Sequence, residues 1–242
     1  VDFLAVFEEE LAKRGLEYVV VRKLTLTDIM IPVPLPGLPP DFVYARYVDN
    51  DAMLVRADLL VTNATTQVYD VALETPFGTQ IRGWIAANVS ASGKTWRVVT
   101  THPEPSWPVE AGETPQILEL IQALAATPLP VLVTGDLNFV PGSPQYGQMT
   151  AAGYVDLWTE RLGRDIPEAT CCRQDETLRS SLADDPLTQR KDYVWAKPAA
   201  GYEVGPVKFT LFGDEPFERT AGGLWPSDHL GLPVGVVLQK TK

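Results

Sequence analysis

Four stretches of this 242-residue chain constrain its fold more than any others. Each joins a short apolar, β-branched run to polar side chains at one end. They are Val98-Val99-Thr100-Thr101-His102, Val131-Leu132-Val133-Thr134-Gly135-Asp136-Leu137-Asn138, Arg190-Lys191-Asp192-Tyr193-Val194, and Trp225-Pro226-Ser227-Asp228-His229. Runs of this length and composition read as strands, so the polar residues collect at strand ends. Both of the chain's histidines fall in these stretches. A chain with so little imidazole has scarce general-base capacity near neutral pH. Its placement therefore points to one polar site assembled from strand ends.

The intervening sequence fills in the frame. Asp2 caps a helix over Phe3 to Arg14, with Phe3, Val6, Phe7 and Leu11 on one face and Gly15 as its stop. Leu16 to Leu24 reads as a strand. Residues 30 to 40 hold Pro32, Pro34, Pro36, Pro39 and Pro40, which predicts an extended surface loop. Ala52 to Arg56 and Asp58 to Thr62 read as short strands. Ile81 to Ser90 and Thr95 to Thr101 flank Ala91-Ser92-Gly93-Lys94, a hairpin signal. Thr114-Pro115 opens a helix, Pro130 to Thr134 is a buried strand, and Ser143-Pro144 starts a helical turn. Residues 160 to 190 are polar and irregular. Strands return at Asp192 to Ala196, Glu203 to Leu211 and Leu232 to Leu238. Helices scattered among more numerous strands predict helices covering a mixed β-core.

Composition limits the function. With 45% hydrophobic and 21% charged residues the chain folds rather than staying disordered. No apolar run is long enough to span a bilayer. The net charge of −11 disfavours non-specific binding to nucleic acid. The adjacent Cys171 and Cys172 fit neither a disulfide framework nor a zinc spacing. They are expected to be structural or free thiols. Trp84, Trp107 and Trp225 are expected to pack in the core or at a rim rather than to stack on a substrate. Val1 is not a start methionine, and the chain opens in a helix pattern, so its natural beginning is expected to lie upstream.

The polar residues have matching chemistry. Asp136 and Asn138 stand two apart, so on an extended segment both side chains face one side. One accepts a proton or orients water while the other donates a hydrogen bond to an oxyanion. Asp228 offers an oxygen ligand to a divalent cation. His229 acts as a base if a carboxylate fixes its tautomer, and Asp192 is the candidate carboxylate. Each feature has a plainer reading: Asp136 as a helix cap, Ser227-Asp228 as a turn, Asp192 as a strand-edge charge.

Taken in order, Thr101-His102-Pro103-Glu104, Gly135-Asp136-Leu137-Asn138, Arg190-Lys191-Asp192-Tyr193-Val194 and Ser227-Asp228-His229 resemble the endonuclease/exonuclease/phosphatase superfamily. The resemblance covers residues 1 to 240 and implies a single domain over 1–242 that lacks its first strands. The implied fold is an α/β, four-layer sandwich of two mixed sheets flanked by helices, as in the deoxyribonucleases. The implied chemistry is metal-dependent phosphoester hydrolysis by in-line attack of an activated water. His229, Asp192, Asp136, Asn138 and His102 would be catalytic. Arg82, Asn138 and His102 would contact substrate, and Asp228 with Asp136 would hold the metal. Magnesium is the implied cofactor, with manganese as the alternative. The family's asparagine strand and Gln-Glu pair do not occur here, and Lys191 stands where the family has Ile or Leu. The acidic balance favours a small phosphorylated substrate or lipid head group over a nucleic acid. A non-catalytic binding protein or inactive fragment of the same fold is the competing reading.

Overall fold

The computed structural model describes residues 1–35, 42–75, 78–104, 115–160, 169–175, 177–181, 184–205 and 207–241. Pro36, Pro39, Pro40, Trp107 and Thr114, singled out above, lie outside the described residues. The chain divides into two compact units, Val1–His102 and Pro103–Lys242.

The first unit opens with α1 (Phe3–Lys13). The Asp2 carboxylate caps it by accepting from the Ala5 N–H at 3.2 Å, as the sequence pattern predicts. Its apolar face is not covered: Phe3 is 80% exposed, and Val6 and Phe7 are also exposed. Next come β1 (Tyr18–Pro34) and β2 (Phe42–Arg56), an antiparallel ribbon. Residues 30 to 34 are not loop but strand, with Pro32 opposite Tyr44 and Pro34 opposite Phe42. A proline removes a donor only on one side, and an edge strand tolerates that loss.

The unit continues with β3 (Leu60–Val68), the small pair β4 (Leu73–Thr75) and β5 (Gly78–Gln80), then β6 (Gly83–Ala91) and β7 (Lys94–Thr101). Strands β3, β6 and β7 pair antiparallel in that order. The β6–β7 turn is Ser92-Gly93, with φ of 51° and 74°. Two positive φ values match the right-handed strand twist, and glycine adopts them without steric cost. Met53 and Val55 of β2 pack on Ile85, Ala87 and Val89 of β6 to make this unit's core.

The second unit holds α2 (Pro115–Leu124), β8 (Val131–Asp136), α3 (Pro144–Ala151), β9 (Val155–Asp156) and β10 (Asp192–Lys197). Helix α2 buries Gln116, Ile117, Leu120 and Leu124, one face at helical spacing. Strand β10 pairs antiparallel with both β8 and β9. The remaining strands are short: β11 (Tyr202–Val204), β12 (Lys208–Phe209), β13 (Val234–Gly235) and β14 (Leu238–Lys240). They form two ribbons, β11 with β14 and β12 with β13. The continuous strands expected over Glu203 to Leu211 and Leu232 to Leu238 are therefore each split in two. The first breaks beyond Val204, where the sequence runs Gly205-Pro206 and proline supplies no N–H to a ladder. Leu157, Trp158, Val194, Ala196, Val207 and Phe209 form the core here.

Candidate active site

Strand β8 ends at Gly135-Asp136, and Gly135 takes φ 135°, a conformation L side chains rarely adopt. That glycine lets the chain leave the strand with Asp136 at its tip. Directly opposite, β10 begins: Asp192 pairs in register with Asp136. Two carboxylates thus face each other at one end of a ladder whose interior is apolar.

His229 joins them. Its Nδ1–H donates to Asp192 Oδ2 at 2.9 Å, and its Nε2 lies 3.9 Å from Asp136 Oδ2. The Asp192 bond raises the imidazole pKa above its ordinary value, and burial opposes that shift. Hydrogen bonding at Nδ1 leaves Nε2 as the nitrogen turned to Asp136, the tautomer and orientation a general base needs. The ring is held by its own backbone too, because the His229 N–H donates to Ser227 Oγ at 3.0 Å.

Asn138 departs from the extended geometry that would put it beside Asp136. Its φ is 55°, and its backbone N–H donates to Asp136 Oδ1 at 2.8 Å. Its side-chain Nδ2–H donates to the Pro103 carbonyl at 2.9 Å. Asn138 therefore fixes the Asp136 carboxylate through the main chain, a turn that asparagine favours. The Leu137 N–H donates to the Lys191 carbonyl at 2.8 Å, tying this turn to the segment before β10.

Asp228 is exposed and stands outside the group formed by Asp136, Asp192 and His229. Those three offer ligand atoms that all lie within 4.8 Å of one another. Two carboxylates and one imidazole suit a divalent cation, whose remaining positions water or a phosphate would fill. Arg82 and His102 belong to the first unit, where they meet. Arg82 Nη1–H donates to Asp49 Oδ2 at 2.8 Å and to His102 Nδ1 at 3.2 Å.

One residue of the site escapes sequence reasoning. Thr170 is fully buried, and its hydroxyl donates to Asp192 Oδ2 at 2.7 Å. The Thr170 Oγ1 also accepts from the Lys191 and Asp192 N–H groups, each at 3.2 Å. The Leu230 N–H donates to the Thr170 carbonyl at 2.8 Å. Thr170 thus links the segments that carry Asp192 and His229. It lies in the irregular stretch of residues 160 to 190, where no periodicity marks it.

Beside it, Cys171 and Cys172 are joined by a disulfide, contrary to the expectation of structural or free thiols. Adjacent cysteines bridge only when the backbone between them is unusual, and Cys172 has φ 77°. Trp84 and Trp225 are buried, at 6% and 3% exposure, which is core packing. Trp225 is stacked between the guanidinium groups of Arg173 and Arg219, at 4.3 and 4.4 Å from its ring centre.

The sequence profile of the Endonuclease/Exonuclease/phosphatase family matches residues 13–229. No curated protein sequence matches the chain. Among solved structures, humanized TDP2 from D. rerio is 17% identical with a TM-score of 0.58, over 97% of this chain and 82% of that one. D. rerio TDP2 complexed with single strand DNA product is 15% identical with a TM-score of 0.57, over 98% and 91%. The human Nocturnin catalytic domain with bound sulfate anion is 17% identical with a TM-score of 0.54, over 99% and 77%.

Proposed function

Since this chain belongs to the endonuclease/exonuclease/phosphatase family, we propose that it is a divalent-metal-dependent phosphoesterase whose working residues are His229, Asp192, Asp136 and Asn138. The observation that carries this reading is the His229 imidazole, fixed on Asp192 at 2.9 Å with Nε2 turned to Asp136. Asp192 holds the tautomer and stabilises the imidazolium. His229 Nε2 takes the proton of a water oriented by Asp136, that water attacks phosphorus in line as the ester P–O bond opposite breaks, and the departing alkoxide takes up a proton from solvent. Asn138 keeps Asp136 aimed through its N–H.

Asp136, which lies in the Asp136–Asp192–His229 group, is the carboxylate assigned to the cation; Asp228, exposed and outside that group, is assigned with it on the strength of the resemblance alone. A bound magnesium or manganese ion would neutralise charge developing on the phosphoryl oxygens. His102 and Arg82 are assigned to contact with phosphate, on the strength of the resemblance and of their cationic and imidazole chemistry.

For substrate we favour a small phosphodiester, phosphomonoester or lipid head group. The net charge of −11 weakens attraction to a polyanion. The second reading is a nuclease, supported by the likeness to D. rerio TDP2 complexed with single strand DNA product. A panel of small phosphoesters, phospholipids and single-stranded DNA, assayed with and without magnesium, separates the two. Turnover of small esters at rates well above DNA supports the first; the reverse order supports the second. Metal-independent turnover, or none on any substrate, counts against both.

A further inference from the structure

We infer that the Cys171–Cys172 pair is a redox-modification site whose bridged state holds the His229–Asp192 arrangement in place, and whose partner is a dithiol or glutathione-class reductant. The inference rests in part on the proposed function, because its consequence is read as turnover.

The pair sits where the site's supporting segments cross. Cys171 bridges antiparallel to both Gln189 and His229. Its N–H donates to the Gln189 carbonyl at 3.0 Å, and its carbonyl accepts from the Thr188 N–H at 3.0 Å. The Cys172 N–H donates to the Asp228 carbonyl at 3.2 Å. Thr170, one residue earlier, holds Asp192 Oδ2. The bridged dipeptide is thus bonded on one side to the residue before His229 and on the other to the chain leading into Asp192.

Two features make the bridge consequential. It closes a ring through a single peptide unit, so neither cysteine can change conformation independently. Cys172 stands at φ 77°, a sparsely populated region for a non-glycine residue, so opening the ring favours rotation towards an ordinary φ. Rotation of Cys172 to an ordinary φ swings the chain on one side of it relative to the other, which pulls on the Cys172 N–H bond to the Asp228 carbonyl and loosens the turn that presents His229. A displacement on the order of 1 Å costs a catalytic group about a hundredfold in rate.

The chemistry is thiol–disulfide exchange. Cys171 is fully buried and Cys172 partly exposed, so the reductant's thiolate attacks the Cys172 sulfur. The Cys171 sulfur leaves as a thiolate and takes up a proton. A second thiolate of the reductant then displaces Cys172, which is protonated in turn. The pair gains two electrons and two protons, and the reductant becomes its own disulfide.

The experiment compares the protein purified in air with the same protein reduced by dithiothreitol. Thiols are counted in each state, turnover is measured, and the two histidine ring signals are recorded by NMR. We expect no free thiols before reduction and two after, a fall in turnover of about tenfold or more, and a shift of the His229 signals with those of His102 unmoved. A Cys171→Ser, Cys172→Ser double variant should be slow with or without dithiothreitol. If neither state turns over a substrate but the His229 signals still shift on reduction, the redox site stands and the proposed activity falls. Free thiols in the air-purified protein overturn the inference. So does verified reduction with His229 signals and turnover unchanged.

Discussion

The ladders β1–β2 and β8–β10 are built alike and end up in opposite circumstances. Both are antiparallel pairs of β-rich sequence. Strand β10 is buried over Tyr193, Val194, Trp195 and Ala196, packed against Phe139, Tyr146 and Trp158. Much of β1–β2 is open, with Met30, Val33, Phe42, Val43, Tyr44 and Tyr47 all exposed. Pairing is decided locally by strand propensity and register. Rigidity is decided by what packs against the pair. The candidate catalytic residues sit at the end of the rigid ladder, where two carboxylates can be held against their mutual repulsion beside an imidazole that bonds to one of them.

The sharpest way to break this contrast is to compare ion pairs. Arg190 and Asp156 meet at 2.8 Å with side chains only 6% and 2% exposed. Arg190→Ala leaves a buried carboxylate without its cation, which should cost about 3–5 kcal/mol of stability. Denaturant unfolding reads this directly, and a loss below about 1 kcal/mol would mean that the second unit is not the tightly packed region described. The next largest effect concerns Asp51, on β2. Burial, then the charge of Asp49, raises its carboxyl to about 6 from 3.8, and its buried Oδ2 has no hydrogen-bond partner among the described residues. The folded state therefore binds the proton more tightly than the unfolded one. The penalty is absent below pH about 4, grows as pH rises to about 6, and is constant above it. Asp51→Asn should stabilise the protein by up to about 3 kcal/mol near pH 8 and leave it unchanged near pH 3. Equal effects at both pH values would show that Asp51 is not desolvated.

Thr170→Val keeps the shape of a buried side chain but removes the hydroxyl that serves Asp192. It should cost about 1–3 kcal/mol and also lower kcat. The positioning role is distinguished by rescue: Thr170→Ser, which restores the hydroxyl, should recover most of the kcat. Equal kcat for the Val and Ser variants would make Thr170 a packing residue only. The smallest effect belongs to the open ribbon. Arg46 makes a two-pronged pair with Asp28 at 2.8 and 2.6 Å, but both side chains are well exposed, at 66% and 42%. Arg46→Ala should leave the unfolding midpoint nearly unchanged, because water screens an exposed pair. A larger loss would place the ribbon on the same footing as β8–β10.

What the sequence discloses follows the range of the forces involved. The Asp2 cap, the Ser92-Gly93 turn, α2 and α3 are written in neighbouring residues, and they form as the local patterns predict. So do the strand ends that carry Asp136 and Asp192, because an apolar run stopped by a polar residue is a local signal. The prolines of β1 mislead because edge pairing is not visible along the chain. Asn138 misleads for a related reason: an alternation argument assumes extended backbone, and its φ is 55°. Thr170 and the Cys171–Cys172 bridge depend on which distant segments cross, namely those around Gln189 and Asp228, and no spacing within the irregular stretch records that crossing.

The central claim is that His229, oriented by Asp192, is the general base of a phosphoester hydrolysis. The most direct test is the magnesium-dependent turnover of His229→Ala beside that of the unaltered protein, on whichever ester of the panel is hydrolysed, with thermal unfolding showing that the variant is folded. The account predicts a loss of about a hundredfold to ten-thousandfold with unchanged unfolding. Near-full turnover by the folded variant would contradict it.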